Sequence, residues 1–269
     1  MVYPQRNDGE IGRIVMLNSV YRDHGLAVPA IREVIDGQAV ILEDAGDCLV
    51  QRWFRSATRP EKLRLLHQVG VMLGQIASIP LWRTDARLDS ERMKREMDFF
   101  VDHFLCHALL QGTAIDPLRE ILHLLVDRID PSPVFAHRDF HSRNMLRRRD
   151  RIYLVDFQDS LAGPPGYDLV SFAFDSYLEL GPLRPVLLAE ADREGVTVDR
   201  RQFLLVALQR NIKALGTFGF QVRVRRNLVY RRYIPRTLRH VSVNLRQLDD
   251  RELRPLADYF AMASNIELG

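Results

Sequence analysis

A short apolar run, Val134–Ala136, leads into eight residues that carry most of the chain's chemistry: His137-Arg138-Asp139-Phe140-His141-Ser142-Arg143-Asn144. Twelve residues after Asn144, Asp156 closes a second apolar run, Ile152–Val155. Asn144–Leu146 reads as a further short strand, and the charged stretch Arg147–Arg151 as the turn between the two. The spacing sets an acid and an amide on one loop, facing a second acid at the end of a hairpin. The chain must therefore build a strand-loop-strand unit here, whatever surrounds it.

What surrounds it reads as helix. Glu61–Ile79, Ser90–Leu110 and Asp116–Ile129 each carry an apolar face at helical spacing, and Pro131 and Pro133 stop the last of them. Beyond Gly163-Pro164-Pro165-Gly166, helical patterns return over Tyr167–Glu179, Pro185–Glu194, Arg200–Leu215, Leu228–Leu245 and Glu252–Met262. The start differs. Ile11–His24 is a helix stopped by Gly25, and Asp36-Gly37 between Ile31–Ile35 and Gln38–Leu42 predicts a hairpin. Glu43–Asp47 is a polar connector. The reading is an α+β chain of two unequal lobes, with 1–44 as the small lobe and hinge and 45–269 as the helical lobe.

An acid, an amide and a second acid so arranged suit phosphoryl transfer. One carboxylate orients and deprotonates the attacking hydroxyl, while a carboxylate and an amide hold Mg²⁺ on the nucleotide phosphates. The spacing H-x-D-x-x-x-x-N, followed by a strand and D-F, matches the kinase catalytic and metal loops. The competing explanation is that Asp139 and Asn144 only cap turns and Asp156 only ends a strand. The joint spacing argues against it.

These residues resemble the HGDxHxxN loop of the aminoglycoside phosphotransferase and choline kinase family, relatives of the protein kinases. Residues 155–172, VDFQDSLAGPPGYDLVSF, are similar to that family's metal loop and the helix after it. Arg138 and the unit DFQD-x-x-x-GP-x-x-YDL resemble one branch, the bacterial N-acetylmuramate/N-acetylglucosamine anomeric sugar kinases of cell-wall recycling. GLAVPAI (25–31), REMDFF (95–100) and QRNIKALGTFG (209–219) extend the likeness. The resemblance implies a protein-kinase-like two-lobed fold, an alcohol-group phosphotransferase, and ATP and Mg²⁺ as cofactors. Asp139 is then the catalytic base, and Asn144 and Asp156 hold Mg²⁺. His137 packs the loop, Asp168 accepts from its backbone, and Asp159 fixes a loop. His141 and Arg143 lie near the phosphates or sugar, or are buried hydrogen-bonding groups. Glu43, Asp44 and Ala45 form the hinge that meets adenine. Glu96, Asp98, Asp175, Arg210 and Arg143 are the acceptor-site candidates. Aminoglycoside, choline or another alcohol is the alternative acceptor, and a catalytically silent binding protein the alternative class.

The small lobe departs from the pattern. A kinase carries a cation on its third strand. Here no lysine precedes Lys62, and of 38 basic residues only Lys62, Lys94 and Lys213 are lysines. Met1–Pro4 resembles the end of that third strand, so the expectation is a truncated small lobe, a start at an internal methionine, and an exposed hairpin edge open to self-association. With a formal net charge of +3 and no apolar stretch long enough for a membrane or a signal core, the expectation is a cytoplasmic protein acting on a small molecule. The seven arginines of the acid-free stretch Arg223–Arg239 read as a solvated or acid-facing surface rather than a nucleic-acid patch. Cys48 and Cys106 have no metal-ligand spacing.

Overall fold

In the small lobe the turn residues determine the sheet. Asp36 and Gly37 both take positive φ, 47° and 68°, the twist that a two-residue hairpin requires. They join β2 (Ile31–Ile35) to β3 (Ala39–Leu42), with Val34 opposite Val40 and Ile35 opposite Ala39. β1 (Val2–Pro4) pairs antiparallel with the other side of β3, giving the order β1-β3-β2. α1 (Glu10–Asp23) buries Ile11, Ile14, Leu17, Val20 and Tyr21. It stops where the N–H of Gly25 bonds Arg22 O and that of Leu26 bonds Tyr21 O, a paired C-terminal closure. This computed structural model describes residues 2–4, 9–105 and 115–263. The positions 106–110 of the expected second long helix, and Cys106 with them, lie outside the described residues.

The larger lobe opens with a short helix that the sequence patterns did not announce, α2 (Val50–Trp53). α3 (Arg59–Ala77) begins at Thr58, whose N–H bonds Glu61 Oε2 at 2.7 Å, and carries Pro60 in its first turn. α4 (Ser90–Phe100) is capped by Asp89 and continues as a wider turn over Val101–Leu105. α5 (Ile115–Asp127) leads to β4 (Val134–Ala136). β5 (Met145–Arg148) and β6 (Arg151–Leu154) form the hairpin, with Met145 opposite Leu154. Arg147 and Arg148 belong to β5, so the turn is only Arg149-Asp150. A strand not expected from the sequence, β7 (Leu161–Gly163), pairs antiparallel with β4.

Five helices complete the lobe: α6 (Tyr167–Ala173), α7 (Arg184–Arg193), α8 (Arg200–Arg223), α9 (Ile234–Leu248) and α10 (Arg254–Ala263). Three differ from the sequence expectation. One is α9, which begins at Ile234 rather than Leu228, because Leu228–Tyr233 forms a separate, tighter turn. α6 ends at Ala173 rather than Glu179, because the Asp175 carboxylate accepts from the backbone N–H of Ser142 and of Tyr177 and so binds the chain to the loop. α8 runs eight residues past Leu215. It can do so because Gly216 and Gly219 face α4 and its continuation. A Cβ on Gly216 would stand 2.8 Å from Phe100 Cα, and one on Gly219 would meet His103 O. α8 is the central helix, with fifteen buried residues packed between α4, α6 and α9. It forms the wall behind the Asp139 loop.

Candidate active site on the Asp139 loop

The loop from His137 to Asn144 is held from below. Asp168, in the first turn of α6, accepts the N–H of His137 at 2.6 Å and of Arg138 at 3.0 Å. Burial pushes this carboxyl up to about 7, against the pull of those two bonds. His137 is fully buried, its Nε2 3.2 Å from Val155 O, and burial holds its pKa below the ordinary value, so it is neutral. Asp175 accepts the N–H of Ser142 at 2.8 Å. Asp175 therefore supports the loop, buried beneath it, and does not line an open acceptor site.

Asn144 draws the three chemical groups together. Its Nδ2 donates to the Asp139 carbonyl at 3.0 Å and lies 3.5 Å from Asp156 Oδ2. With the amide nitrogen so committed, the amide oxygen is left for a cation beside the Asp156 carboxylate. Asp156 takes φ 65°, and Gln158 Nε2 donates to its Oδ1 at 2.7 Å. One carboxylate and one amide oxygen fit Mg²⁺, which completes its octahedron with water and phosphate oxygens. Among the described residues no three His, Cys, Asp or Glu side chains are placed to hold a metal ion by themselves.

Asp139 is surrounded by cations. Burial by itself would raise its pKa, but Lys213 Nζ, 3.7 Å from Oδ1, and then Arg138 and Arg210 outweigh burial and hold it well below the carboxylate range. Arg138 sits at φ 77°, with its guanidinium 3.4 Å from Glu96 Oε1 and 3.8 Å from Asp159 Oδ2. Glu96 also accepts from Gln209 Nε2 at 2.9 Å, and Arg210 Nε donates to Ser171 Oγ at 2.8 Å. His141 is buried against Tyr177, and burial pushes it down to about 3. Arg143 lies over Tyr177 and Tyr230, at 4.9 and 5.9 Å.

Asp98 is elsewhere. Two residues from Glu96 on a helix is more than half a turn, and Asp98 faces α5, 2.8 Å from Arg119 Nη1 and 3.0 Å from His123 Nε2. At the connector, the Glu43 N–H bonds Ala30 O at 2.7 Å, Ala45 is buried, and Arg148 Nη1 donates to Asp44 O at 2.9 Å. An apolar cleft lined by Ile14, Pro29, Leu42, Val155 and Phe157 runs from the small lobe to Asp156.

Two residues of the site escaped the sequence reading. Arg13 on α1 donates through Nε to Gln158 O at 2.6 Å and through Nη2 to Ser160 O, so the small lobe grips the loop after Asp156. Lys213 faces Asp139 from α8. The available signal was helical spacing: Arg210 and Lys213 are three residues apart and share a face.

A small sheet with one helix, a polar connector, and a helical lobe that carries acid, amide and second acid at the cleft together define a phosphotransferase of kinase-like fold. Solved structures share that fold. The streptomycin-ATP-APH(2")-IIa ternary complex superposes with TM-score 0.61 at 16% identity, over 86% of this chain and 85% of that one. A choline/ethanolamine kinase family protein from Mesorhizobium loti gives TM-score 0.62 at 13% identity, over 98% and 86%. The chain belongs to the phosphotransferase enzyme family (APH), whose model matches residues 1–204. Curated relatives are similar over longer or shorter stretches. The N-acetylmuramate/N-acetylglucosamine kinase of Neisseria meningitidis serogroup B is 29% identical over 240 residues, 81% of this chain and 69% of that protein. The protein of the same name from Pseudomonas aeruginosa is 32% identical over 148 residues, 49% of this chain and 43% of that protein.

Proposed function

We propose that the chain is an ATP- and Mg²⁺-dependent kinase of the cytoplasm that phosphorylates an amino sugar, N-acetylmuramate or N-acetylglucosamine, at the anomeric hydroxyl. The observation that carries the reading is the Asn144 amide, which joins the backbone of Asp139 to the carboxylate of Asp156. Residues 1–44 form the small lobe and hinge, and 45–269 the lobe that holds catalytic loop, metal loop and acceptor.

In this reading adenine enters the apolar cleft beside Glu43–Ala45. Asn144 and Asp156 would hold Mg²⁺, which when bound offsets the charge of the nucleotide phosphates. Asp139 orients the acceptor hydroxyl and takes its proton as the oxygen attacks the γ-phosphorus, and ADP leaves. Asp139 is a weak base, with its pKa held low by Lys213 and the nearby arginines. That suits an anomeric hydroxyl, which is more acidic than an ordinary alcohol, and a transition state in which positioning matters more than base strength. His137, Asp168 and Asp175 keep the loop in shape.

The relatives' names support an amino sugar as acceptor. The test is ADP release from MgATP against a panel of N-acetylmuramate, N-acetylglucosamine, kanamycin and choline, followed by phosphorus NMR of the product. The reading predicts turnover of the two sugars and a phosphorus signal coupled to the anomeric proton. Turnover of kanamycin or choline alone would reassign the acceptor. No turnover of any acceptor would favour a silent, nucleotide-binding protein.

A further inference from the structure

One face of α8 delivers three side chains to the catalytic loop. Gln209 Nε2 reaches Glu96, Arg210 Nε reaches Ser171 Oγ, and Lys213 Nζ stands 3.7 Å from Asp139 Oδ1. The first two are hydrogen bonds at 2.9 and 2.8 Å. The third is longer, an ion pair without a shared hydrogen. Among the described residues the Lys213 ammonium donates to no protein acceptor within hydrogen-bond distance, although its side chain is only 20% exposed. A partly desolvated ammonium keeps three donors. Here all three are unspent, beside the carboxylate on which the reaction turns.

The carboxylates around it are in the opposite condition. Asp139 faces Lys213. Glu96 is held by Arg138 and Gln209, Asp168 by two backbone N–H groups and Asp175 by two more. Among the described residues these acids are all partnered, and the exposed Asp159 lies 3.8 Å from Arg138, whereas cations already stand there as Arg138, Arg210 and Lys213. An acceptor bringing positive charge would meet repulsion and no partner. The residue type is also telling in a chain whose basic residues are nearly all arginine. A planar guanidinium is built for paired contacts, and a compact ammonium for a single oxygen in a narrow place. Lys94 and Lys62 are spent elsewhere, on Asp127 at 2.6 Å and over the Phe54 ring.

We propose that Lys213 is an acceptor-binding residue that sets specificity: it donates to an oxygen of the acceptor next to the hydroxyl that Asp139 activates, and it admits neutral or anionic hydroxyl compounds while turning away cationic ones. The inference rests on the kinase reading above, and names the residue that chooses the acceptor's charge.

The experiment compares three sugars that differ in charge: N-acetylmuramate, N-acetylglucosamine and glucosamine, which are anionic, neutral and cationic at pH 7. Initial rates of ADP release are measured on the full chain and on Lys213→Met and Lys213→Gln, each checked for an unchanged melting transition. The wild type is expected to use glucosamine about a hundredfold less well than N-acetylglucosamine in kcat/KM. Either variant should raise the KM for N-acetylmuramate and for N-acetylglucosamine about tenfold, the scale of one lost charge-assisted bond to an oxygen that both sugars carry. The penalty on glucosamine should shrink about tenfold as well, with the KM for ATP unchanged. Unchanged KM values for the two N-acetyl sugars, an unchanged penalty on glucosamine, or a loss seen only in kcat or only in the KM for ATP, would overturn the role of Lys213 and leave the kinase reading standing. A wild type that prefers glucosamine overturns it with no variant needed. A wild type inactive on all three overturns the kinase reading and this inference together.

Discussion

Arg138 holds a left-handed backbone, φ 77°, that residues with a Cβ avoid at a cost of about 1 kcal/mol. Its N–H is held by Asp168 while its side chain reaches Glu96, so the conformation is enforced from both ends. Removing the side chain in two ways separates conformation from contact. Arg138→Gly and Arg138→Ala both lose the pairing, but the glycine variant should be the more stable by about 1 kcal/mol in urea unfolding. Equal stabilities would mean that the loop relaxes out of its left-handed shape. Residues within this loop were legible in the sequence because their partners lie within twenty positions: Asp139, Asn144 and Asp156 report their relation by spacing alone. Lys213 and Arg13 were not, since each reaches the site from a helix whose facing is settled only by packing. Asp98 shows the same limit. It shared a motif with Glu96, and only the turn of α4 assigns it to α5 instead.

Among the elements, the hairpin and most of the helices were readable from turn residues and apolar period, while their ends were decided by tertiary contacts. α8 is the clearest case. Its apolar period was read only as far as Leu215, yet Gly216 and Gly219 beyond it are where α8 lies against the backbone of Phe100 and His103. Gly216→Ala should therefore destabilise the protein by about 2 kcal/mol, read from the urea midpoint, although alanine gains about 1 kcal/mol in helix propensity. Stabilisation would show that α4 and α8 can part without loss. At the other end of the lobe, Asp250 ties three helices together, 2.6 Å from Arg128 after α5 and 2.5 Å from Arg201 in α8. Burial would raise its pKa, but the bonds from Arg201 and Arg128 prevail and hold it at about 2. The unfolded chain titrates near the ordinary value of about 4. The stabilisation is thus fully present above pH 4 and is lost as pH falls through 2. Asp250→Asn should cost about 1 kcal/mol at pH 7, allowing for solvent screening, and only a small remnant of that at pH 2. A pH-independent difference would locate the effect in packing rather than charge.

At the scale of the molecule, the two lobes meet across the loop that begins at Asp156. Arg13 grips the carbonyls of Gln158 and Ser160, Tyr21 OH lies 2.8 Å from Ser160 Oγ, and Arg148 reaches back to the Asp44 carbonyl in the connector. The segment that begins at Asp156 is thus gripped by the small lobe, and the Asp139 loop is braced by α6 and α8. The lobed plan was visible in the sequence as a change from hairpin to helical period. This clasp was not, because it consists of single side chains bonding to backbone far along the chain. In the proposed kinase, both lobes serve one carboxylate, Asp139, at the cleft. The direct measurement is the initial rate of ADP release from MgATP and N-acetylglucosamine, wild type against Asp139→Asn, with matched melting curves. The expected result is a fall in kcat of about a thousandfold with the KM for ATP little changed. A variant that keeps the wild-type rate would remove Asp139 from the chemistry.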